Sequence, residues 1–448
     1  MPAPPPPSPK HILRSHKDQI SSLYVSDDNE RLYSGDTAGL VVLTAMRTLR
    51  ALVSWKAHES SILAVKEWEG VDRYIVSHGR DNKLHVWKKI KDATFNVEAL
   101  GGSAALPQGI PVPELMYSLD VNALNFCPFS MLGVNYNYNT GRDDELLVAV
   151  PNLVESSWAD VWSLPSCQRL HAAVGKGKPG LGEFDEEIAT EGATEPGKPA
   201  DHKLPKTAEL GIIMSLHLHR SPHPSISTAT ELRMLMAFEA GSVGCWAFRP
   251  TDGKSHSIEG IGWEQLWNVR FHAESVMAMA VSRNSTIALS VSADHLVGRY
   301  DLKNATSDVE ASCTIARTKH PGNASVAIHG SDKVCALGGW DGKIRLYSIK
   351  TFKSLGTLDY HKNGVQALTF AHSNAQPKPH ASASQTGVTL GPVGEGDNVN
   401  DDDLDDDPDD DGEFSNSETE GRRRWLVAGG KDGRISIWEL MDFSKPKH

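Results

Sequence analysis

The sequence predicts an all-β fold, a seven-bladed β-propeller, because one short motif recurs along the 448 residues with the same internal spacing. In three copies, a turn that contains Asp leads into an apolar strand, and an aromatic residue stands six positions after that Asp. These copies run from Gly79-Arg80-Asp81 to Trp87, from Gly339-Trp340-Asp341 to Tyr347, and from Gly430-Lys431-Asp432 to Trp438. Four weaker copies, which end at Thr44, Trp162, Trp246 and Tyr300, bring the number of blades to seven.

Each copy is typical of a WD40 repeat, a four-stranded antiparallel blade whose apolar faces are covered only by the neighbouring blades. The second copy is the most complete and offers His58, Ser77, Asp81 and Trp87 for a buried hydrogen-bond network. In this network the Trp ring binds the Ser of the second strand, the His before the blade reaches the same Ser, and the turn Asp orients the His. The network is therefore a structural feature of the blade and not an acid–base pair.

The other copies keep parts of the same network. Asp341 with Tyr347 and Asp432 with Trp438 are expected to hold these places in the last two blades. The histidines expected to lead their blades as structural hydrogen-bonding groups are His58, His272, His320 and His361. The first copy lacks the aromatic residue and the fourth has Ala240 in place of Asp, which apolar packing between blades is expected to tolerate.

Two further strands are placed by the pattern. The third copy ends at Ala159 to Trp162, and its inner strand is expected near Asn122 to Phe126. The last blade has strands at 365–370, 425–428 and 434–438 and is therefore one strand short. The segment His11-Ile12-Leu13-Arg14 is a spare strand, which we expect to complete the last blade and close the ring, since open sheet edges promote aggregation.

The chain divides into a Pro-rich N-terminal tail, residues 1–10, and the propeller, residues 11–448, with insertions at 99–113, 175–206 and 373–422. All three insertions have a composition typical of disorder. The last one carries most of the net charge of −12: residues 395–420 contain 14 acidic and no basic residues, and removing them leaves 43 acidic against 45 basic residues. We expect no direct nucleic-acid binding by so neutral a body, whereas the acidic run is either a solvated spacer or a site for basic partners such as histones.

The composition also bears on location. No apolar run is long enough to span a membrane, and the first residues lack the features of a signal peptide, so we expect an intracellular protein without membrane contact. Five cysteines without CxxC spacing are expected to be reduced thiols of the core.

No catalytic motif is present: the sequence lacks a phosphate-binding GxxxxGK[ST] loop, a GxSxG elbow and an HExxH pair. His217, His219 and His223 suggest a metal cluster, but they are interpreted as ordinary strand and loop positions because no Cys or carboxylate lies near them. We therefore expect a protein that is not an enzyme and that has no cofactor, metal or small-molecule substrate.

Partner binding is predicted on one face. Arg80, Trp340 and Lys431 each precede the Asp of a turn between second and third strands, and such turns gather on one side of a propeller. An exposed Trp among cations is typical of a protein-binding hot spot. The alternative is that Trp340 packs under a neighbouring loop. Arg422-Arg423-Arg424 is either a nuclear-localisation or phosphate-binding patch or an anchor for its loop.

The arrangement of these motifs resembles the ASTRA-associated WD40-repeat protein family, which includes the human guanine-nucleotide-binding-protein β-subunit-like protein. The resemblance covers all seven blades but not the insertions, which are more like those of fungal members. The matching segments are Ile12-Leu13-Arg14, Ser34-Gly35, Ala38-Gly39-Leu40-Val41, Gly79-Arg80-Asp81 with Lys83-Leu84, Ala336 to Tyr347, Ala428-Gly429-Gly430-Lys431-Asp432 and Arg434-Ile435-Ser436-Ile437-Trp438.

This resemblance implies a nuclear scaffold subunit of the ASTRA complex, linked to chromatin remodelling and to the TTT co-chaperone that matures phosphatidylinositol-3-kinase-like kinases. Two other functions are alternatives to this one. A ubiquitin-ligase substrate receptor would have a WDxR signature, and only Tyr300-Asp301-Leu302-Lys303 comes near it. A signalling G-protein β subunit would have an N-terminal helix for its γ partner, where this chain has about ten Pro-rich residues.

Overall fold

The computed structural model describes residues 7–69, 73–88, 112–137, 142–176, 210–222, 230–250, 253, 255–303, 312–373 and 420–443. In these residues, 28 strands form seven four-stranded antiparallel sheets, so the predicted seven-bladed propeller is confirmed. The insertions predicted at 99–113, 175–206 and 373–422 fall almost wholly outside the described residues. Within the described part of the chain, no helix has the length and hydropathy of a membrane span.

The first four blades follow the chain without crossovers. Blade 1 consists of β2 (Ile20–Val25), β3 (Arg31–Asp36), β4 (Leu40–Ala45) and β5 (Ala51–Lys56). Blade 2 consists of β6 (Ile62–Glu69), β7 (Arg73–Gly79), β8 (Lys83–Lys88) and β9 (Leu115–Asp120). Blade 3 consists of β10 (Ser130–Asn137), β11 (Arg142–Pro151), β12 (Ala159–Leu164) and β13 (Gln168–Val174). Blade 4 consists of β14 (Ile213–Pro222), β15 (Thr230–Phe238), β16 (Ser242–Phe248) and β17 (Trp263–Arg270).

The last three blades complete the ring. Blade 5 consists of β18 (Val276–Val281), β19 (Ile287–Ser292), β20 (Leu296–Asp301) and β21 (Cys313–Arg317). Blade 6 consists of β22 (Asn323–Ile328), β23 (Val334–Gly339), β24 (Lys343–Ser348) and β25 (Ser354–Asp359). Blade 7 consists of β26 (Val365–Phe370), β27 (Trp425–Gly430), β28 (Ile435–Glu439) and the N-terminal β1 (His11–Leu13).

The N-terminal strand closes the ring as predicted. β1 pairs antiparallel with β28, with Ile12 opposite Ser436 and Leu13 opposite Ile435. Leu13 is buried in a core cluster that also contains Ile20 of blade 1 and Ile435 of blade 7. The first residues therefore join the last blade to the first through both a backbone ladder and apolar contacts.

The apolar core is divided into seven clusters, one at each junction between successive blades. At the junction of blades 1 and 2, for example, Tyr33 and Trp55 pack with Ile62 and Trp87, and the two Trp rings meet edge to face with centroids 6.1 Å apart. Each blade thus buries one face against each neighbour, as the repeat pattern requires. The five cysteines are free, and four of them are buried in these clusters or beside them.

The prediction for the inner strand of blade 3 is wrong. Residues 122–126 form a loop, and the inner strand is β10, which begins at Ser130. The side chains of Asn122 and Asn125 accept hydrogen bonds from the backbone N–H groups of Leu124 and Cys127, so they form local turns in place of a ladder. Pro128 follows and cannot donate a backbone hydrogen bond, which further disfavours a strand here.

Candidate protein-binding face

Two sets of connections share one face of the ring. We define the upper face as the side of the ring that carries the turns between second and third strands, such as residues 80–82. The same side carries the links between successive blades, such as residues 57–61. The two sets meet in blade 2, where His58 of the link binds Asp81 of the turn. The lower face carries the connections between first and second and between third and fourth strands.

Blade 2 contains the complete network predicted from the sequence. The Nδ1 atom of His58 lies 2.9 Å from a carboxylate oxygen of Asp81, its Nε2 atom lies 2.8 Å from Ser77 Oγ, and Trp87 Nε1 donates to the same Oγ over 2.8 Å. Burial lowers the pKa of His58, although the Asp81 carboxylate acts in the opposite direction. Burial alone raises the pKa of Asp81, but the hydrogen bonds from the Glu59 N–H and from His58 outweigh it and lower the pKa. At neutral pH a neutral imidazole therefore donates to Asp81 and accepts from Ser77, so each donor of this four-residue network has an acceptor.

The same network recurs with changes in blades 1 and 5. His16 binds Asp36 and Ser34, both over 2.8 Å, while Thr44 stands at the aromatic position. In blade 5, His272 binds Asp294 over 3.1 Å and Ser290 over 2.8 Å, and the Tyr300 hydroxyl is 2.9 Å from Ser290 Oγ. Gly298 makes room for this contact, because a Cβ there would lie 2.4 Å from the Tyr300 oxygen.

In blade 7 the hydroxyl comes from a different strand. His361 binds Asp432 over 3.1 Å, but its Nε2 atom reaches Ser436 of the third strand over 2.8 Å, and Trp438 Nε1 donates to the same Oγ over 2.9 Å. Ala428 occupies the second-strand position and lies directly opposite Ser436 in the ladder. The hydroxyl has therefore moved across the ladder to the cross-strand neighbour, and it still joins the same His and Trp.

In blade 6 the prediction that His320 is the leading hydrogen-bonding residue is wrong. This residue is exposed, and Asp341 is bound instead by Arg345, whose guanidinium nitrogens lie 3.1 and 2.5 Å from its carboxylate. Arg345 is four residues after the turn Asp, the position that Ser436 holds in blade 7. The hydrogen bond from Arg345 lowers the pKa of Asp341. Tyr347 is buried among residues of blades 5 and 6, beside Cys335 and Leu337.

Replacing Ser436 by Ala is expected to lower the free energy of unfolding by about 2–4 kcal/mol, because it leaves Trp438 Nε1 and His361 Nε2 buried without partners. Urea unfolding followed by tryptophan fluorescence measures this loss. Adding Ala428→Ser to Ser436→Ala returns the hydroxyl to the second strand, as in blade 2, and should recover part of the lost stability. The control is Ser354→Ala at an exposed position of β25, and a Ser436→Ala cost as small as that of the control would contradict the network.

One cluster has the composition of a metal site. The ligand atoms of His58, Asp81 and His85 lie within 4.8 Å of one another. Both ring nitrogens of His58 are already used, however, by Asp81 and by Ser77, and His85 Nδ1 is 2.7 Å from Ser118 Oγ. The His85 ring also stacks on His58 with centroids 4.5 Å apart. These contacts satisfy His58 without an ion.

The histidines of β14 occupy strand positions. The rings of His217 and His219 are stacked with centroids 5.7 Å apart, and burial lowers the pKa of both, that of His219 to about 4. His223 lies outside the described residues.

The structure places Arg80, Trp340 and Lys431 at equivalent exposed positions of the upper face. In each, the backbone N–H donates to the carbonyl just before the first strand of the same blade, with acceptors Ser61, Gly322 and Gly364. Trp340 is 48% exposed, and its ring lies so close to Gly322 that a Cβ there would be 2.9 Å from it. One side of the Trp340 ring therefore packs against Gly322, and the other side is exposed to solvent. Gly364 lies against the backbone of Trp340 and accepts from Lys431, so these two residues are neighbours, whereas Arg80 stands in blade 2.

The basic run before β27 anchors its segment within the described residues. Arg422 is buried and pairs with Glu30 over 3.2 Å, and Arg424 pairs with Glu439. The acidic run at 395–420 lies outside the described residues apart from Glu420.

Seven four-stranded blades, of which blades 1, 2, 5 and 7 contain a buried His–Asp network, define the chain as a WD40-repeat β-propeller. It is 31% identical over 467 residues to ASTRA-associated protein 1 of Penicillium rubens, covering 97% of this chain and 98% of the relative. It is 30% identical to the protein of the same name in Aspergillus niger, covering 97% and 98%, and 26% identical to that of Schizosaccharomyces pombe, covering 81% and 93%. No family model matches the chain. The chain belongs to the ASTRA-associated protein 1 family.

Proposed function

We propose that this chain is a non-catalytic scaffold subunit of the nuclear ASTRA complex, acting in chromatin remodelling and linked to the TTT co-chaperone pathway of phosphatidylinositol-3-kinase-like kinases. The observation that carries the proposal is the similarity to relatives named ASTRA-associated protein 1 over 97% of the chain. Because the similarity spans whole proteins and not a single blade, it favours a shared assembly over a shared fold alone.

The chemistry of the upper face supports a binding role. The histidines and carboxylates of blades 1, 2, 5 and 7 bind one another inside the blades, so they hold the ring together and are not presented to a substrate. Burial also raises the pKa of Cys245 and Cys335 to about 12, which keeps these thiols protonated and unreactive. The exposed turn residues, by contrast, are free to contact another protein.

The proposal is tested by purifying the tagged full-length chain from its native cells and identifying co-purifying proteins by mass spectrometry. Recovery of ASTRA subunits supports it, and their absence contradicts it. Recovery of a cullin-ligase adaptor in their place would support the alternative, a ubiquitin-ligase substrate receptor. In the same preparation, TTT subunits test the co-chaperone link, and nuclear fractionation tests the location.

Replacing Trp340 by Ala is expected to weaken ASTRA binding by about 30-fold, the effect of removing a hot-spot side chain worth about 2 kcal/mol. Its half-exposed ring contributes little to the core, so the free energy of unfolding should change by less than about 1 kcal/mol. The matched control is Leu355→Ala, which removes a side chain of similar exposure, 44%, from the outer strand of the same blade. Equal ASTRA recovery with both variants would exclude Trp340 from the interface.

A further inference from the structure

An apolar patch lies on the upper face at the junction of blades 2 and 3. It consists of Leu124 and Phe126 in the link between these blades and Leu153 and Val154 in the turn between β11 and β12. Their exposed fractions are 63%, 42%, 53% and 91%. Adjacent exposed apolar side chains of this size are uncommon on a protein surface unless they bind something.

The patch is held in place by hydrogen bonds between its two segments. Asn122 Nδ2 donates to the backbone oxygen of Asn152 over 2.6 Å, which joins the link to the turn. Asn152 Oδ1 accepts the N–H groups of Val154 and Glu155 over 3.0 and 2.9 Å, and the Asn125 amide is 2.6 Å from His78 Nε2. The exposed side chains therefore project from fixed backbone.

This turn is longer than its counterparts. Residues 152–158 connect β11 to β12, whereas residues 80–82 and 340–342 suffice in blades 2 and 6. The extra residues place Leu153 and Val154 in solvent, although Gly, Asn and Asp are the residue types usual in an exposed turn. The equivalent exposed positions in the other described connections are mostly small or polar: Thr37, Ala38, Glu59, Glu239, Glu274, Lys319, Lys362 and Lys431, with Trp340 as the large exception.

Two charged side chains border the patch, Arg80 and Glu155, and the Glu155 carboxylate accepts a hydrogen bond from Ser157 of its own turn. The Arg80 guanidinium lies over the Phe126 ring, 4.1 Å from its centroid, and Arg80 is exposed. Among the described residues no carboxylate is paired with it. A ligand that covered Phe126 would also remove water from Arg80, and a carboxylate on that ligand would offset the loss through a charged hydrogen bond.

We propose that this patch binds a segment of an ASTRA subunit in which adjacent aliphatic or aromatic side chains stand beside an Asp or Glu. The apolar side chains cover Leu124, Leu153 and Val154, and the carboxylate pairs with Arg80. A second copy of this chain fits less well, because a two-fold contact between identical patches would place Arg80 near its own equivalent. The inference rests on the proposed function, since it names the surface through which that function is exerted.

The test places the photoreactive amino acid p-benzoylphenylalanine at position 154 of the full-length chain in its native cells. Cross-links should form to an ASTRA subunit, at a peptide that contains apolar residues and a carboxylate. Cross-links to a second copy, or to another part of the same chain, overturn the inference, as does the absence of any cross-link. The same label at position 258, which is exposed on the lower face, is the control and should not capture that peptide.

Substitutions then measure the contribution of the patch. Leu153→Ser with Val154→Ser, and separately Arg80→Glu, should each lower ASTRA recovery at least tenfold. Ile258→Ser with Ile261→Ser removes two equally exposed apolar side chains, 68% and 69%, from the lower face and should leave recovery unchanged. If the wild-type chain recovers no ASTRA subunit, the proposed function is refuted. If the wild-type chain and the patch variants recover ASTRA subunits equally well, only this inference is refuted.

Discussion

Deleting residues 1–14 is expected to lower the free energy of unfolding by about 4 kcal/mol or more, from the lost burial of Leu13 and the lost ladder to β28. The deletion removes the backbone bond from Lys10 N to Ile437 O and the pairing of β1 with residues 435–437. It also exposes the edge of β28, so the shortened protein should associate in a concentration-dependent way.

Urea unfolding and sedimentation velocity measure the two consequences. Deleting only residues 1–8 is the control, because β1 begins at His11 and stays intact. A shortened chain that unfolds at the wild-type urea concentration and remains monomeric would show that the ring does not depend on its N-terminal strand.

Replacing Glu231 by Leu is expected to cost about 3–5 kcal/mol, since it leaves the buried guanidinium of Arg233 without its carboxylate. The two side chains are 2% and 4% exposed, and Arg233 Nε donates to Glu231 over 2.6 Å. Arg233 also donates to the Leu302 carbonyl over 3.1 Å, so the pair connects blades 4 and 5. Burial alone raises the pKa of Glu231, but the hydrogen bonds from Arg249 and Arg233 outweigh it and lower the pKa. The stabilisation is therefore complete at neutral pH and is lost only as the pH falls below the unfolded value of 4.5.

A second variant separates charge pairing from packing. Glu231→Leu combined with Arg233→Met removes both charges and should regain most of the stability lost by Glu231→Leu alone. Thermal and urea unfolding at pH 7 compare the two. If the double variant is as unstable as the single one, the loss comes from packing and the role of the ion pair is wrong.

The features predicted from the sequence are those that each blade carries in its own residues. The spacing from Asp81 to Trp87 locates two strands and a turn at once, and the missing strand of blade 7 identifies His11–Leu13 as its replacement. The inner strand of blade 3 was wrongly predicted because the alternation Leu124-Asn125-Phe126 has the period of a strand. Its Asn side chains bind the local backbone instead, and its apolar side chains face solvent.

What the sequence alone did not predict depends on register between strands. Ser436 replaces the second-strand Ser of blade 7, and Arg345 replaces the leading His of blade 6. That these side chains reach the same sites is evident only from the strand register, which pairs Ser436 with Ala428 and Arg345 with Leu337. The Glu231 ion pair likewise depends on which face of β15 turns toward blade 5. A polar or charged residue four positions after the turn Asp is the signal that could have located the first two.

Hydrogen–deuterium exchange shows directly whether the closed ring holds ASTRA subunits by its upper face. The full-length chain is measured alone and in the purified ASTRA assembly. We expect assembly to slow exchange in the upper-face segments 80–82, 122–126, 152–158 and 340–342, while the lower-face segment 255–262 exchanges equally in both states. Slowed exchange confined to 255–262 and other lower-face connections, or no difference at all between the two states, would exclude binding by the upper face.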